Sequence, residues 1–324
     1  MPVVFSSGYR PPFWGRNPWI QLLWSESLRK VASGPWVRER MELPDGDFLD
    51  LDWWRTGGRR CLVVSHGLEG HSRRSYATSL ARAAARRGWE VVSWNMRGCS
   101  GEPNRLMRCY HSGASEDLAA VVDHVARTLP GVPVAVAGFS LGGNVTLKFL
   151  CEDWPARRGV HAGIGISVPC DLRSAALRIA DVGFGWPMRR FLQDLGPKME
   201  AKQARFGGAF PAADWRRMRT FAEFDDAFTA PIHGFRDAED YWARCSSLRF
   251  LPALRIPTLL LNAQDDPMLA PECFPFDLAR EHPHLFLEAP RHGSHVAFAS
   301  RPDASGDGWA DVRVLEFLDS CIPA

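Results

Sequence analysis

The sequence predicts an α/β protein: a mostly parallel central sheet flanked by helices, with an inserted helical cap. Two observations carry this. Short apolar runs alternate with amphipathic helical stretches from Cys61 to Leu150 and again from Thr258 onward, the pattern of parallel strands covered on both faces. Between Pro169 and roughly Leu251 the alternation stops, and the chain becomes helical in pattern and rich in aromatics, from Phe184 to Trp242. The organisation that follows is an N-terminal arm over 1–35, a core from 36–169 and 252–324, and a cap insertion over 170–251.

Composition sets the outer limits. A chain of 324 residues with 46% hydrophobic and 23% charged residues suits a globular protein with a sizeable core. The net charge is +2, and the basic pairs Arg59-Arg60, Arg86-Arg87 and Arg216-Arg217 stand beside acids or inside helical patterns. They read as solvated helix faces, not as a nucleic-acid surface. No run approaches the ~20 apolar residues of a membrane span, and Met1 to Gly15 lacks the cationic start and apolar centre of a signal peptide. The eight cysteines form no CxxC and no repeated spacing, so reduced thiols in a cytoplasmic protein are expected, without a disulfide framework or zinc.

Taken in order, Met1 to Lys30 is irregular, with Phe13, Trp14, Trp19 and Trp24, and Ile20, Leu23 and Trp24 suit one face of a short helix. The arm reads as packed on the domain, because no basic amphipathic pattern accompanies its aromatics; an access path or membrane-surface contact is the alternative. Trp36 to Met41 and Phe48 to Trp54 are strands around the Pro44-Asp45-Gly46 turn. Cys61 to Ser65 is a strand ending at His66-Gly67-Leu68, and Ser75 to Arg87 is an amphipathic helix. Glu90 to Trp94 is a strand, and Ala114 to Leu129 a helix burying Leu118, Val121, Val122 and Val125. Val160 to Val168, Thr258 to Asn262 and Leu285 to Glu288 are later strands, and Val312 to Leu318 belongs to a closing helix.

The chemistry centres on Val134 to Leu150. An apolar strand, Val134 to Ala137, runs into Gly138-Phe139-Ser140-Leu141-Gly142 and then a helix. A serine at such a turn is held proud of the sheet at a helix N-terminus, where free N–H groups favour developing negative charge. In a strand–turn–helix nucleophile arrangement the partners follow in the order acid, then histidine, at later strand ends. Asp265-Asp266-Pro267 and His292-Gly293-Ser294-His295 meet that order. Asp266 is the predicted acid, with Asp265 the alternative; His295 is the predicted base, with His292 the alternative. A serine hydroxyl needs an imidazole to take its proton and a carboxylate to orient that imidazole. The oxyanion donors are the backbone N–H of Leu141 and that of Leu68, in the loop after Cys61 to Ser65. His66 reads as a strand-end histidine bonded to nearby backbone. No metal-ligand spacing and no phosphate-binding glycine loop appears, so no cofactor is expected.

Several blocks carry a resemblance. His66-Gly67-Leu68-Glu69-Gly70, the stretch from Arg97 to Arg105 (RGCSGEPNR), Tyr110-His111-Ser112-Gly113 and Gly138 to Asn144 resemble the YheT-type α/β-hydrolases. Glu223-Phe224-Asp225-Asp226, His233-Gly234-Phe235 and the segments around Asp266 and His295 extend the match, which runs from about Asn17 to near the C-terminus. That group is related to plant EMB-type proteins, mammalian abhydrolase-domain lipases and yeast medium-chain ester synthases. The arm departs from its pattern, with Asn17-Pro18-Trp19-Ile20 where the group has Asn-Pro-His and an aliphatic residue.

The resemblance implies the α/β-hydrolase fold and esterase or lipase activity. It implies Ser140 as nucleophile, Asp266 as acid and His295 as base; the aromatics of the cap, in turn, suit a small-molecule or lipid ester with an apolar acyl group. Acyl transfer to an alcohol on the same triad is the near alternative, and a binding protein on a hydrolase scaffold the distant one. The Arg97 to Arg105 block is expected to support the site through a charge network of Arg97, Glu102 and Arg105, with His111 bonded into it.

Overall fold

The structure, a computed structural model, describes residues 3–4, 7–154 and 159–323. Residues 1–2 and 5–6 of the predicted arm lie outside the described residues. Among those described, nine strands form one sheet: β1 (Val3–Val4), β2 (Val37–Glu42), β3 (Phe48–Trp54), β4 (Arg60–Ser65), β5 (Trp89–Asn95), β6 (Val134–Phe139), β7 (Val160–Ile166), β8 (Thr258–Leu261) and β9 (Leu285–Glu288). Their spatial order is β1-β9-β8-β7-β6-β4-β5-β3-β2. Every neighbouring pair is parallel except the two that β3 makes, with β2 and with β5.

The helices are α1 (Pro18–Leu23), α2 (Ser75–Arg86), α3 (Ser115–Thr128), α4 (Leu141–Cys151), α5 (Leu172–Asp181), α6 (Trp186–Phe206), α7 (Phe221–Phe224), α8 (Ala230–His233), α9 (Ala238–Cys245), α10 (Phe276–Glu281) and α11 (Trp309–Cys321). Alternate residues of the central strands bury on opposite faces, as the two-residue period of a strand requires. Leu62, Val64, Ala135, Ala137 and Ile164 pack with Leu80 and Ala84 of α2 and with Leu315 and Leu318 of α11. Val63, Val134, Val136 and Leu260 face Leu118, Val122, Leu147 and Leu150 of α3 and α4. Helices therefore cover both faces, which explains why the central strands are apolar on both sides.

Element ends differ from expectation by small amounts. β6 continues past Ala137 because Gly138 and Phe139 still pair with Gly165 and Ile166 of β7. β7 stops at Ile166, not Val168, because Ser167 adopts a left-handed backbone (φ 51°) that a strand cannot carry. The closing helix that contains Val312 to Leu318 is α11, which runs from Trp309 to Cys321.

Between β7 and β8 the chain runs through α5 to α9. This segment has its own apolar centres, one of Met188, Leu192, Phe210, Phe224 and Phe228, another of Leu172, Tyr241, Trp242 and Cys245. At the other end of the sequence, Asn17 accepts from the N–H groups of Trp19 and Ile20, and Pro18 occupies the first turn of α1. The arm's inner face is buried through Tyr9, Gln21 and Leu22, while Phe13, Ile20 and Leu23 face outward.

Candidate active site

Ser140 stands between β6 and α4 with φ 52° and ψ −122°, a region an L-residue enters only under constraint. The constraint is local. A Cβ on Gly138 would meet the Gly142 carbonyl oxygen at 2.2 Å, and one on Gly142 would meet that of His66 at 2.2 Å. Only glycine at both places lets the turn close against the end of β4. Leu141 opens α4, so its N–H is among those a helix leaves without an internal acceptor. Leu68, Leu141, Ser140 and His295 all line one cavity of about 840 Å³.

The structure brings the predicted serine, histidine and aspartate into one hydrogen-bonded chain. His295 Nε2 is 2.9 Å from Ser140 Oγ, and His295 Nδ1 is 2.8 Å from Asp266 Oδ2. These partners assign the proton of the neutral ring to Nδ1, leaving Nε2 to accept from the serine. Asp266 is buried, and its other oxygen accepts from the Met268 N–H at 2.9 Å. Burial alone would push the His295 pKa down, but the charge of Asp266 and the hydrogen bond to it outweigh burial and raise it above the ordinary 6.5.

The alternative residues form a second pair. Asp265 Oδ2 lies 3.1 Å from His292 Nδ1, and its Oδ1 accepts from the Ser294 N–H at 2.8 Å. The Ser294 hydroxyl donates to the Pro18 carbonyl at 2.7 Å, and Gln21 Oε1 accepts from the Ala299 N–H at 2.9 Å. The arm and Asp265 thus brace the loop that presents His295. His66 is held by backbone: Nδ1 lies 2.7 Å from the Gly67 carbonyl and Nε2 accepts from the Met96 N–H at 3.1 Å. Burial lowers its pKa to about 3 and keeps it neutral.

Backbone strain concentrates here. Glu69, Ser140, Ser167, Ser294, Val296 and Phe298 are non-glycine residues with positive φ, and all lie in the loops that follow β4, β6, β7 and β9.

The expected charge network differs from what forms. Arg97 is buried, but its carboxylates are Asp117, Asp47 and Asp45. Glu102 instead pairs with Arg40 at 2.7 Å, and Arg105 with Glu42, both at the surface. They reach outward because β2, carrying Arg40 and Glu42, lies along the outer edge of the sheet. Asn104 completes the buried set, donating to Asp47 at 2.7 Å. His111 takes no part in it. Its Nδ1 accepts from the Gly113 N–H, and its ring lies 4.5 Å from that of His233. Burial lowers the pKa of both to about 3, and nearby cations push the same way.

The tethering roles of Asn144 and Asn262 escaped the sequence reading. Asn144 Nδ2 donates to the carbonyls of Ser112 and Cys245, at 2.8 and 2.9 Å, and its Oδ1 accepts from the Ser247 N–H. Asn262 bonds both backbone groups of Val168 and the Cys273 carbonyl. Each ties α5–α9 or its flanks to the sheet. The signal was polar residues inside apolar element ends.

The cavity between the strand ends and α5–α9 is mostly apolar, lined by Leu172, Ile179, Phe191, Leu195, Phe221 and Phe228, with His111, His233 and Asp225 also reaching it. Burial pushes the Asp225 carboxyl up to about 7, against hydrogen bonds from Thr229 and Trp242.

Residues 61–302 match the model of a family described as alpha/beta hydrolase fold. "Putative esterase YheT" of Escherichia coli (strain K12) is 36% identical over 91% of this chain and 88% of its own. "Phospholipase ABHD3" of Mus musculus is 28% identical over 83% of this chain and 68% of its own. A solved structure of the Pyrococcus furiosus esterase Pf2001 superposes with a TM-score of 0.60 at 18% identity, covering 97% of this chain and 100% of that one.

Proposed function

This chain belongs to the alpha/beta hydrolase family, as a YheT-like enzyme of the esterase and lipase type, and we propose that it is a serine carboxylic-ester hydrolase working through an acyl-enzyme. The observation that carries the mechanism is the unbroken chain Ser140 Oγ, His295 Nε2 and Nδ1, Asp266 Oδ2. In this reading His295 takes the hydroxyl proton as Ser140 attacks the ester carbonyl. Asp266 holds the ring orientation and balances the imidazolium. The N–H groups of Leu68 and Leu141 receive the oxyanion. Its collapse expels the alcohol, protonated by His295, and leaves the acyl group on Ser140. A water activated by the same imidazole then releases the acid.

The apolar walls from α5 and α6 suit the acyl chain. We read 170–251 as a cap over a core of 36–169 and 252–324, because α5–α9 carry their own apolar centres and close the cavity over Ser140. A cytoplasmic setting fits eight free cysteines.

The test is hydrolysis of acyl esters of graded length, glycerol lipids included, with the Ser140→Ala protein as blank. Activity on apolar esters that vanishes in Ser140→Ala supports the reading. Equal activity in both overturns it.

A further inference from the structure

Large apolar side chains that stand exposed among the described residues are concentrated on two segments. All but Val37 lie within 13–28 of the arm or 177–186 at the junction of α5 and α6. The two segments touch: a Cβ on Gly183 would lie 2.8 Å from the Trp19 ring. They therefore adjoin at the surface, and on them Phe13 is 86% and Phe184 97% exposed.

Phe184 is the telling residue. Gly183, Phe184 and Gly185 are all left-handed, with φ of 57°, 53° and 71°. A phenylalanine in that conformation, turned into water, is doubly unfavourable and implies a partner. The surrounding charge says which. Arg10, Arg16, Lys30, Arg178 and Arg189, in or flanking the two segments, are exposed and have no carboxylate partner among the described residues, whereas Glu26 and Asp181 are the exposed acids of the same stretches. Exposed aromatics on segments with this excess of unpaired cations complement an anionic lipid surface.

The face also adjoins the cavity. Ala175, Ala176 and Ile179 of α5 line the cavity, while Leu177 of the same helix is exposed. The carbonyl of Pro18, next to Trp19, is bonded to the loop of His295.

We propose that the arm and the α5–α6 junction form a docking face for the surface of an anionic lipid bilayer, set beside the cavity. Binding is independent of chemistry at Ser140, so the test uses the Ser140→Ala protein. Flotation is measured with phosphatidylcholine vesicles, with and without phosphatidylglycerol. Binding is expected with phosphatidylglycerol, weakening as salt is raised. Phe13→Ser and Phe184→Gly should each lower partitioning by about tenfold, since each removes a buried phenyl group. Both residues are nearly free of packing, and glycine suits the backbone at 184. An unchanged melting temperature for each variant shows that folding is not at issue. Absence of flotation on phosphatidylglycerol vesicles, or flotation unaffected by both substitutions, overturns the proposal. So does concentration-dependent dimerisation that the two substitutions abolish without any vesicle binding, because a second copy then covers the face.

Discussion

Arg97 and Asp117 meet as a two-pronged pair inside the protein, with Nε–Oδ2 and Nη2–Oδ1 both at 2.8 Å and each side chain 3% exposed. The pair joins the loop after β5 to the first turn of α3, and Asp47 fixes the third side of the guanidinium. Asp117→Ala should therefore destabilise by about 3–5 kcal/mol, because a buried cation loses its principal partner. Glu102→Gln should cost less than about 1 kcal/mol, as its pair with Arg40 is exposed. Denaturant melts of the two variants decide it, and equal stabilities would refute the assignment.

Ser140→Ala should abolish labelling by a fluorophosphonate while leaving the melting temperature nearly unchanged. Labelling that persists would place the nucleophile elsewhere.

Asp266→Asn should lower kcat by roughly four orders of magnitude, the loss typical when an acid that fixes the imidazole tautomer is neutralised. Asp265→Asn should lose far less, since Asp265 holds His292 and the Ser294 N–H and does not touch His295. Steady-state kinetics rank the two, and the reverse order would exchange their roles.

The base must be neutral to accept a proton, so kcat/KM should rise with pH through a midpoint above 6.5. Asp266→Asn removes the charge that raises this value and leaves burial, which lowers it. The acid limb should move to lower pH even as the plateau falls. A pH–rate profile on a short water-soluble ester tests this; an unmoved limb contradicts it.

Asp225 keeps its proton in the folded protein up to about pH 7, whereas the unfolded chain releases it near 3.8. A raised carboxyl of this kind contributes stability fully below the unfolded value and loses it as pH rises through the folded one. Asp225→Asn has no proton to lose. Its melting temperature should vary less between about pH 5 and about pH 8, and exceed the parent's at the upper end. A parallel pair of pH curves would show Asp225 to be ionised throughout.

Much of this was legible in the sequence, for physical reasons. The two-residue and helical periods marked most of the larger elements, and the Ser140, Asp266 and His295 spacing fixed chain order at strand ends. What stayed hidden depends on distant pairing. Asp47 lies fifty positions from Arg97, and no local pattern chooses it over Glu102. The second pair, Asp265 with His292, was visible only as rivals for one role, because adjacent residues on a tight loop can serve different histidines. The arm reads as packing from its inner residues and as surface from its outer ones; the contact of Trp19 with Gly183, which joins it to the α5–α6 junction, links positions far apart in the sequence.

The cluster of left-handed residues at the strand ends puts selection for robustness and selection for turnover in opposition. Strain of about 1–3 kcal/mol at each such residue is a reserve that evolution or a protein engineer could release by glycine or asparagine substitution at Val296, because the side chains of Glu69 and Ser294 are tied down by hydrogen bonds to Tyr110 and Pro18. Such a gain loosens the loop that aims His295. Harmless thermostabilising changes should therefore come from the outer helices, and a laboratory lineage selected for heat tolerance alone should drift toward a sturdier and slower enzyme.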